Sequence, residues 1–156
     1  MKERLERTIA DIAINLAQTK DDFFIIGASA LVLSGIDIEN TEDIDILTSK
    51  RDALILQELW EDKTVSNHIA KHSNLFRSNF NRYRFQWMDV EVMGGLEINI
   101  DGKWTLLTIN DYIIHNVGNI EIKIPTLQEQ RRIFALFGRE KDNQRLKLID
   151  DYLSRY

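Results

Sequence analysis

The sequence predicts an α+β protein, and three features predict it. The chain opens on an amphipathic helical pattern, its middle alternates apolar and polar residues in strand fashion, and the stretch after its only proline, Pro125, is helical again. At 156 residues, 44% of them apolar and 29% charged, the chain is long enough to bury a core without covalent staples. No internal repeat, low-complexity tract or linker interrupts it. The expectation is one domain over residues 1–156, with C-terminal helices at about 126–154.

Residues 3–19 form the first expected helix. Leu5, Ile9, Ile12 and Leu16 recur at helical spacing, with Lys2, Arg4, Glu6 and Arg7 on other faces. Phe23-Phe24-Ile25-Ile26 is a short apolar run suited to a buried strand, and Gly27 ends it. Ala28 to Ser34 is rich in helix formers, with Gly35 as a stop. In Asp43-Ile44-Asp45-Ile46-Leu47, strand alternation sets Ile44 and Ile46 on one face and both aspartates on the other. Thr48-Ser49 cap a helix expected over about 51–61, with Leu54, Ile55 and Leu59 inward. Phe76–Phe80 and Arg84–Met93 read as strands joined through a polar turn at Asn79–Tyr83. Gly94-Gly95 interrupts, Leu96 to Ile100 alternates again, and Asp101-Gly102 turns. Leu127–Leu136 and Leu146–Leu153 are the last two helical runs.

Composition narrows the chemistry. With no cysteine, the chain has no disulfide, no Cys-based zinc site and no thiol nucleophile. The charged start Met1-Lys2-Glu3-Arg4 leads into no long apolar run, so neither a secretory signal nor a membrane span is expected and the cytoplasm is the expected location. The net charge of −5 speaks against a long nucleic-acid partner, because phosphate neutralisation calls for a basic surplus. A single nucleotide remains compatible with it.

The chemical candidates lie in two segments. Gly27-Ala28-Ser29 stands at a strand exit. There a glycine lets backbone N–H groups approach a ligand, a helix start offers unpaired donors, and Ser29 adds a hydroxyl: a seat for phosphate oxygens. Asp43 and Asp45, two residues apart on one strand face, suit Mg²⁺, which takes one or two carboxylates together with phosphate and water oxygens. With 25 acidic residues in the chain a D-x-D arises readily by chance, and its weight comes from the strand–glycine–helix unit before it.

The order strand, Gly-x-Ser, thirteen residues that include a short helix, Asp-Ile-Asp resembles the signature of the nucleotidyltransferase superfamily (the DNA polymerase β-like fold). Ile26–Leu31 with Thr41–Ile46 looks like its small bacterial branch near the AbiEii-type toxins and minimal nucleotidyltransferases. Arg132-Ile133-Phe134-Ala135 and Gly138-Arg139-Glu140-Lys141-Asp142 look like that branch too. The resemblance implies a nucleotidyltransferase fold, a mixed β-sheet flanked by helices with a C-terminal helical segment. It implies Mg²⁺ or Mn²⁺ on Asp43 and Asp45, and a nucleoside triphosphate, ATP first, as substrate. It also implies transfer of a nucleoside monophosphate to a hydroxyl of a small molecule or, as in toxin–antitoxin systems, of a protein. The third carboxylate of such families falls on Asp89, with Glu91 as the alternative. Arg139 and Lys141 are placed to meet phosphates, or else form surface ion pairs with Glu140 or Asp142.

Two positions depart from the family pattern. Ala28 adds a methyl in the tight loop, and Glu39 stands where many relatives carry arginine. They motivate the alternative reading, a catalytically weak or inactive nucleotide- or partner-binding module on the same fold. Arg82 and Arg84, beside Asp89, are further candidates for guiding an anionic substrate. His68, His72 and His115 have no ligand spacing, and Trp60, Trp87 and Trp104 read as core.

Overall fold

The computed structural model describes residues 1–39, 41–66 and 72–155; His68 lies outside the described residues. In chain order the elements are α1 (Lys2–Leu16), β1 (Phe24–Ile26), α2 (Gly27–Leu33), β2 (Asp43–Thr48), α3 (Lys50–Leu59), β3 (Phe76–Arg84), β4 (Asp89–Ile100), β5 (Lys103–Leu106), β6 (Tyr112–Val117), β7 (Ile120–Pro125), α4 (Leu127–Phe137) and α5 (Glu140–Ser154). The apolar stripe of α1 does what its spacing predicts: Leu5, Ile9, Ile12 and Leu16 are buried. They share a core with Ile44 and Ile46 of β2, Val90 and Val92 of β4, and Ala53 and Leu56 of α3. Burial of these branched side chains contributes about 1.5–3 kcal/mol each relative to exposure.

The main sheet runs β1-β2-β4-β3, and β5 pairs with the distal end of β4. Only β2 and β4 are parallel; β1 is antiparallel to β2, and β3 and β5 are antiparallel to β4. The sheet is therefore mixed, and helices flank it, as the sequence led us to expect. No described helix is long and apolar enough to cross a membrane.

Four local expectations need correction. The inward face of α3 carries Asp52, Ala53 and Leu56, followed by Trp60, whereas Leu54 and Leu59 are exposed. Counting apolar residues missed this because Asp52 is buried for its hydrogen bonds: its carboxylate accepts the backbone N–H groups of Lys20 (2.9 Å) and Asp21 (2.7 Å). Asn79–Tyr83 is no turn; β3 runs through it to Arg84, because Tyr83 is core and Arg82 faces the cleft described below. Gly94-Gly95 does not end β4, since glycine there admits α3 against the strand. The hairpin β6–β7, a separate two-stranded sheet, was not foreseen. Of the three tryptophans only Trp60 is core. Trp87 and Trp104 are half-buried beneath the guanidinium groups of Arg7 and Arg77.

Ser49 caps α3 as expected, its hydroxyl accepting the N–H of Asp52 at 3.1 Å. Ser49→Ala should cost about 1 kcal/mol, a drop of roughly 2–4 °C in Tm for a chain of this size, checked by calorimetric melting. A loss below 1 °C would mean that the cap carries no weight.

Candidate active-site cleft

The alternation predicted for β2 holds. Ile44 and Ile46 are fully buried, while Asp43 and Asp45 look out from the opposite face, half-buried. The parallel register sets Asp43 beside Asp89 and Asp45 beside Glu91, so two adjacent strands present four carboxylates on one face. Glu91 lines the cleft there, as do Asp43 and Asp45, whereas Asp89 sits behind the lining.

Antiparallel pairing sets Ile26 of β1 opposite Asp45, and Gly27 begins α2 directly against that carboxylate. Gly27 has φ +71°, and a Cβ added to it would stand 2.5 Å from Oδ2 of Asp45. Any side chain at this position would displace the carboxylate as well as strain the backbone. Gly27 and Ala28 line the cleft, the methyl of Ala28 being nearly buried. Ser29 does not line it. It is buried, and its hydroxyl donates to the backbone carbonyl of Asp43 at 3.2 Å, tying α2 to β2.

The cleft has a volume of about 670 Å³, within the range of small-molecule sites. Its opposite wall comes from Phe134 and Phe137 of α4, from Arg139 just before α5, and from Lys141 and Arg145 of α5. Arg139 stacks on Phe76 and Phe137, and its guanidinium pairs with the fully buried carboxylate of Asp142 at 2.6 and 3.1 Å. The ion-pair alternative for Arg139 is thus realised with Asp142 while the residue also borders the cleft. Lys141 is exposed and lines the cleft. Burial, then the neighbouring Arg139 and Arg145, hold its pKa below the ordinary lysine value. Arg145, four residues after Lys141 on the same helix face, completes a cationic wall. It was missed in the sequence, where the i,i+4 spacing was the available signal.

Electrostatics distinguishes Asp45 from its neighbours. Burial first, then Asp43 and Glu91, pushes its carboxyl up to about 8, against a smaller pull downward from Lys141 and Arg145. Among the described residues Asp45 has no hydrogen-bond or ion-pair partner. Thr41, buried in the same lining, has a hydroxyl without one. Glu39 is exposed and outside the lining, so the carboxylate that departs from the family pattern does not front the cleft; Glu42 does. Of the histidines, His72 lines the cleft and His115 lies on β6.

Arg82 of β3 stands among the carboxylates. Its guanidinium reaches Asp43 at 2.9 Å, Asp89 at 3.0 Å and Glu91 at 2.5 Å. Arg84 is largely exposed and lies 3.8 Å from Asp89. With the side chains so arranged, no three Asp, Glu or His groups among the described residues converge as metal ligands. The donor set nevertheless fits a hard divalent cation. Three of the four carboxylates share one guanidinium, all four offer oxygen, and Asp45, which that guanidinium does not reach, is held back from ionising by burial and by its neighbours Asp43 and Glu91.

The structure of a Thermotoga maritima protein provisionally assigned as a nucleotidyltransferase is similar to this chain, with a TM-score of 0.74 at 20% sequence identity over 96% of this chain and 92% of that one. An antigenic nucleotidyltransferase-like protein from Paracoccidioides brasiliensis is similar with a TM-score of 0.59 at 16% identity, over 94% of this chain and 74% of that one. No protein-family model and no curated protein matches the sequence. The glycine-led helix beside an Asp-x-Asp strand, the mixed sheet and these two likenesses agree: the chain has the nucleotidyltransferase fold.

Proposed function

We propose that this protein is a metal-dependent nucleotidyltransferase that moves a nucleoside monophosphate from a nucleoside triphosphate, ATP first, to a hydroxyl of a small molecule or protein. The single observation that carries this reading is the opposition, across one cleft, of Asp43, Asp45 and Glu91 to the cationic wall of Arg139, Lys141 and Arg145. A triphosphate needs both: cations for its charge, and carboxylates to hold the metal that bridges its oxygens.

In this reading Asp43 and Asp45 hold Mg²⁺ or Mn²⁺, with Glu91 or Asp89 as the third carboxylate. When bound, the metal neutralises phosphate charge and orients the α-phosphate. Lys141, Arg139 and Arg145 draw the phosphates against α5, and the backbone at Gly27 and Ala28 lets them approach β1 and α2. An acceptor oxygen bonds to the α-phosphorus as the bond to the bridging oxygen of pyrophosphate breaks. The hydroxyl proton passes to a carboxylate oxygen of Glu91 or Asp89. Such transfer asks for positioning and charge stabilisation rather than covalent help from the protein.

A second reading, a binding module without catalysis, draws support from Arg82 among the carboxylates and from Ser29, whose hydroxyl is turned away from the cleft. Thermal unfolding separates the two. ATP or GTP with Mg²⁺, at a hundredfold excess over Kd, should stabilise the chain by about 2.7 kcal/mol, and only when both are present. Asp43→Asn with Asp45→Asn should abolish the shift and leave the fold intact. Should the double variant bind nucleotide and Mg²⁺ like the parent, the site assignment fails. A nucleotide shift indifferent to Mg²⁺ would favour the binding module. A screen with labelled ATP over proteins and hydroxylated small molecules tests the acceptor.

A further inference from the structure

Resting on the reading that the carboxylates of β2 and β4 seat a divalent cation, we infer that Arg82 is their resident counter-ion, and that it must release Asp43 and Glu91 before the cation can bind. Arg82 lies on β3, directly across from Glu91 in the antiparallel register. Its side chain reaches past β4 to β2, two strands away, a distance of about 9.6 Å at ordinary strand spacing. The reach is productive at every nitrogen: Nη1 lies 2.9 Å from Asp43 Oδ2 and close to Glu91 Oε1, and Nε and Nη2 are both 3.0 Å from Asp89 Oδ2. The side chain is 15% exposed, so water screens these pairs only weakly.

A planar guanidinium shared by three carboxylates is a site occupied from within. Mg²⁺ takes its oxygen ligands at about 2.0–2.1 Å. Nη1 already contacts one oxygen of Asp43 and one of Glu91, so a cation ligated by those same oxygens has no room while Arg82 stays. Arg84 cannot replace it, being largely exposed and 3.8 Å from Asp89 alone. Arg82 thereby gives the cation-free cluster the counter-charge it lacks, and it lowers apparent cation affinity by the fraction of time it stays bound. Asp45 lies outside its grasp.

Calorimetric titration of the full chain with Mn²⁺ tests this, comparing the parent with Arg82→Gln and Arg82→Lys. Arg82→Gln should bind Mn²⁺ at least about tenfold more tightly, as expected where the open state is about one part in ten. Its cation-free Tm should fall and recover on adding Mn²⁺, and Arg82→Lys should lie between. If the parent binds Mn²⁺ and Arg82→Gln binds it equally or more weakly, the inference is overturned and the cation seat stands. If no variant binds Mn²⁺, the seat itself is wrong and the inference falls with it. Should Arg82→Gln fail to fold, NMR of the Arg82 Nε–H in the parent decides. That proton should be protected from solvent exchange without cation and lose protection as Mg²⁺ saturates the site; persistence of the protection at saturation would overturn the inference.

Discussion

A Gly94→Val chain is expected to lose roughly 3 kcal/mol or more of stability, about 6–12 °C in Tm for a domain of this size. A Cβ at Gly94 would stand 2.4 Å from the Cβ of Ala53, 3.1 Å from the carbonyl oxygen of Ser49 and 3.2 Å from the Cα of Lys50. Two of those three neighbours are backbone at the start of α3, which cannot turn aside as a flexible side chain would. The whole helix would have to lift off β4, withdrawing Ala53 and Leu56 from the core they share with Val90 and Val92. A milder pair of variants isolates the contact. Gly94→Ala should also destabilise, and adding Ala53→Gly should restore part of the loss by removing the nearest of the clashing atoms. A fully stable Gly94→Val chain would show that α3 does not rest on β4 as described.

The second large effect is expected at Asp45. Because its folded-state pKa, about 8, lies above the ordinary aspartate value of 3.8, the folded chain holds a proton there that the unfolded chain gives up. The corresponding stability is fully present below about pH 4 and is lost as the pH rises towards 8. The Tm of the cation-free parent should therefore fall relative to that of Asp45→Asn across this window, and the difference should level off above it. Asp45→Asn, which cannot ionise against Asp43 and Glu91, should be the more stable chain at pH 9. The same substitution should abolish the joint stabilisation by nucleotide and Mg²⁺. Cation binding by the parent at pH 7 should release close to one proton, measured by calorimetry in buffers of different ionisation enthalpy. A difference between the two chains that does not change with pH would show that Asp45 titrates as an ordinary aspartate.

Periodicity, glycine placement and the Asp-Ile-Asp spacing determined, from sequence alone, that α1 is amphipathic, that Ile44 and Ile46 turn inward while Asp43 and Asp45 turn out, and that a glycine opens the helix next to them. These are short-range consequences of 3.6- and 2-residue repeats, which any stretch of chain displays on its own. Only the tertiary structure decided that β4 runs parallel to β2 with Glu91 beside Asp45 in the cleft lining, and that Arg82 crosses from β3 into the carboxylates. It likewise brought Arg145 of α5 to face β2 and required Gly94 bare beneath α3. Each of these depends on strand register or on elements distant along the chain meeting in space. A one-residue slip in pairing would reverse every face, and no local pattern in Asn79–Tyr83 or Arg139–Arg145 names its partner across the fold.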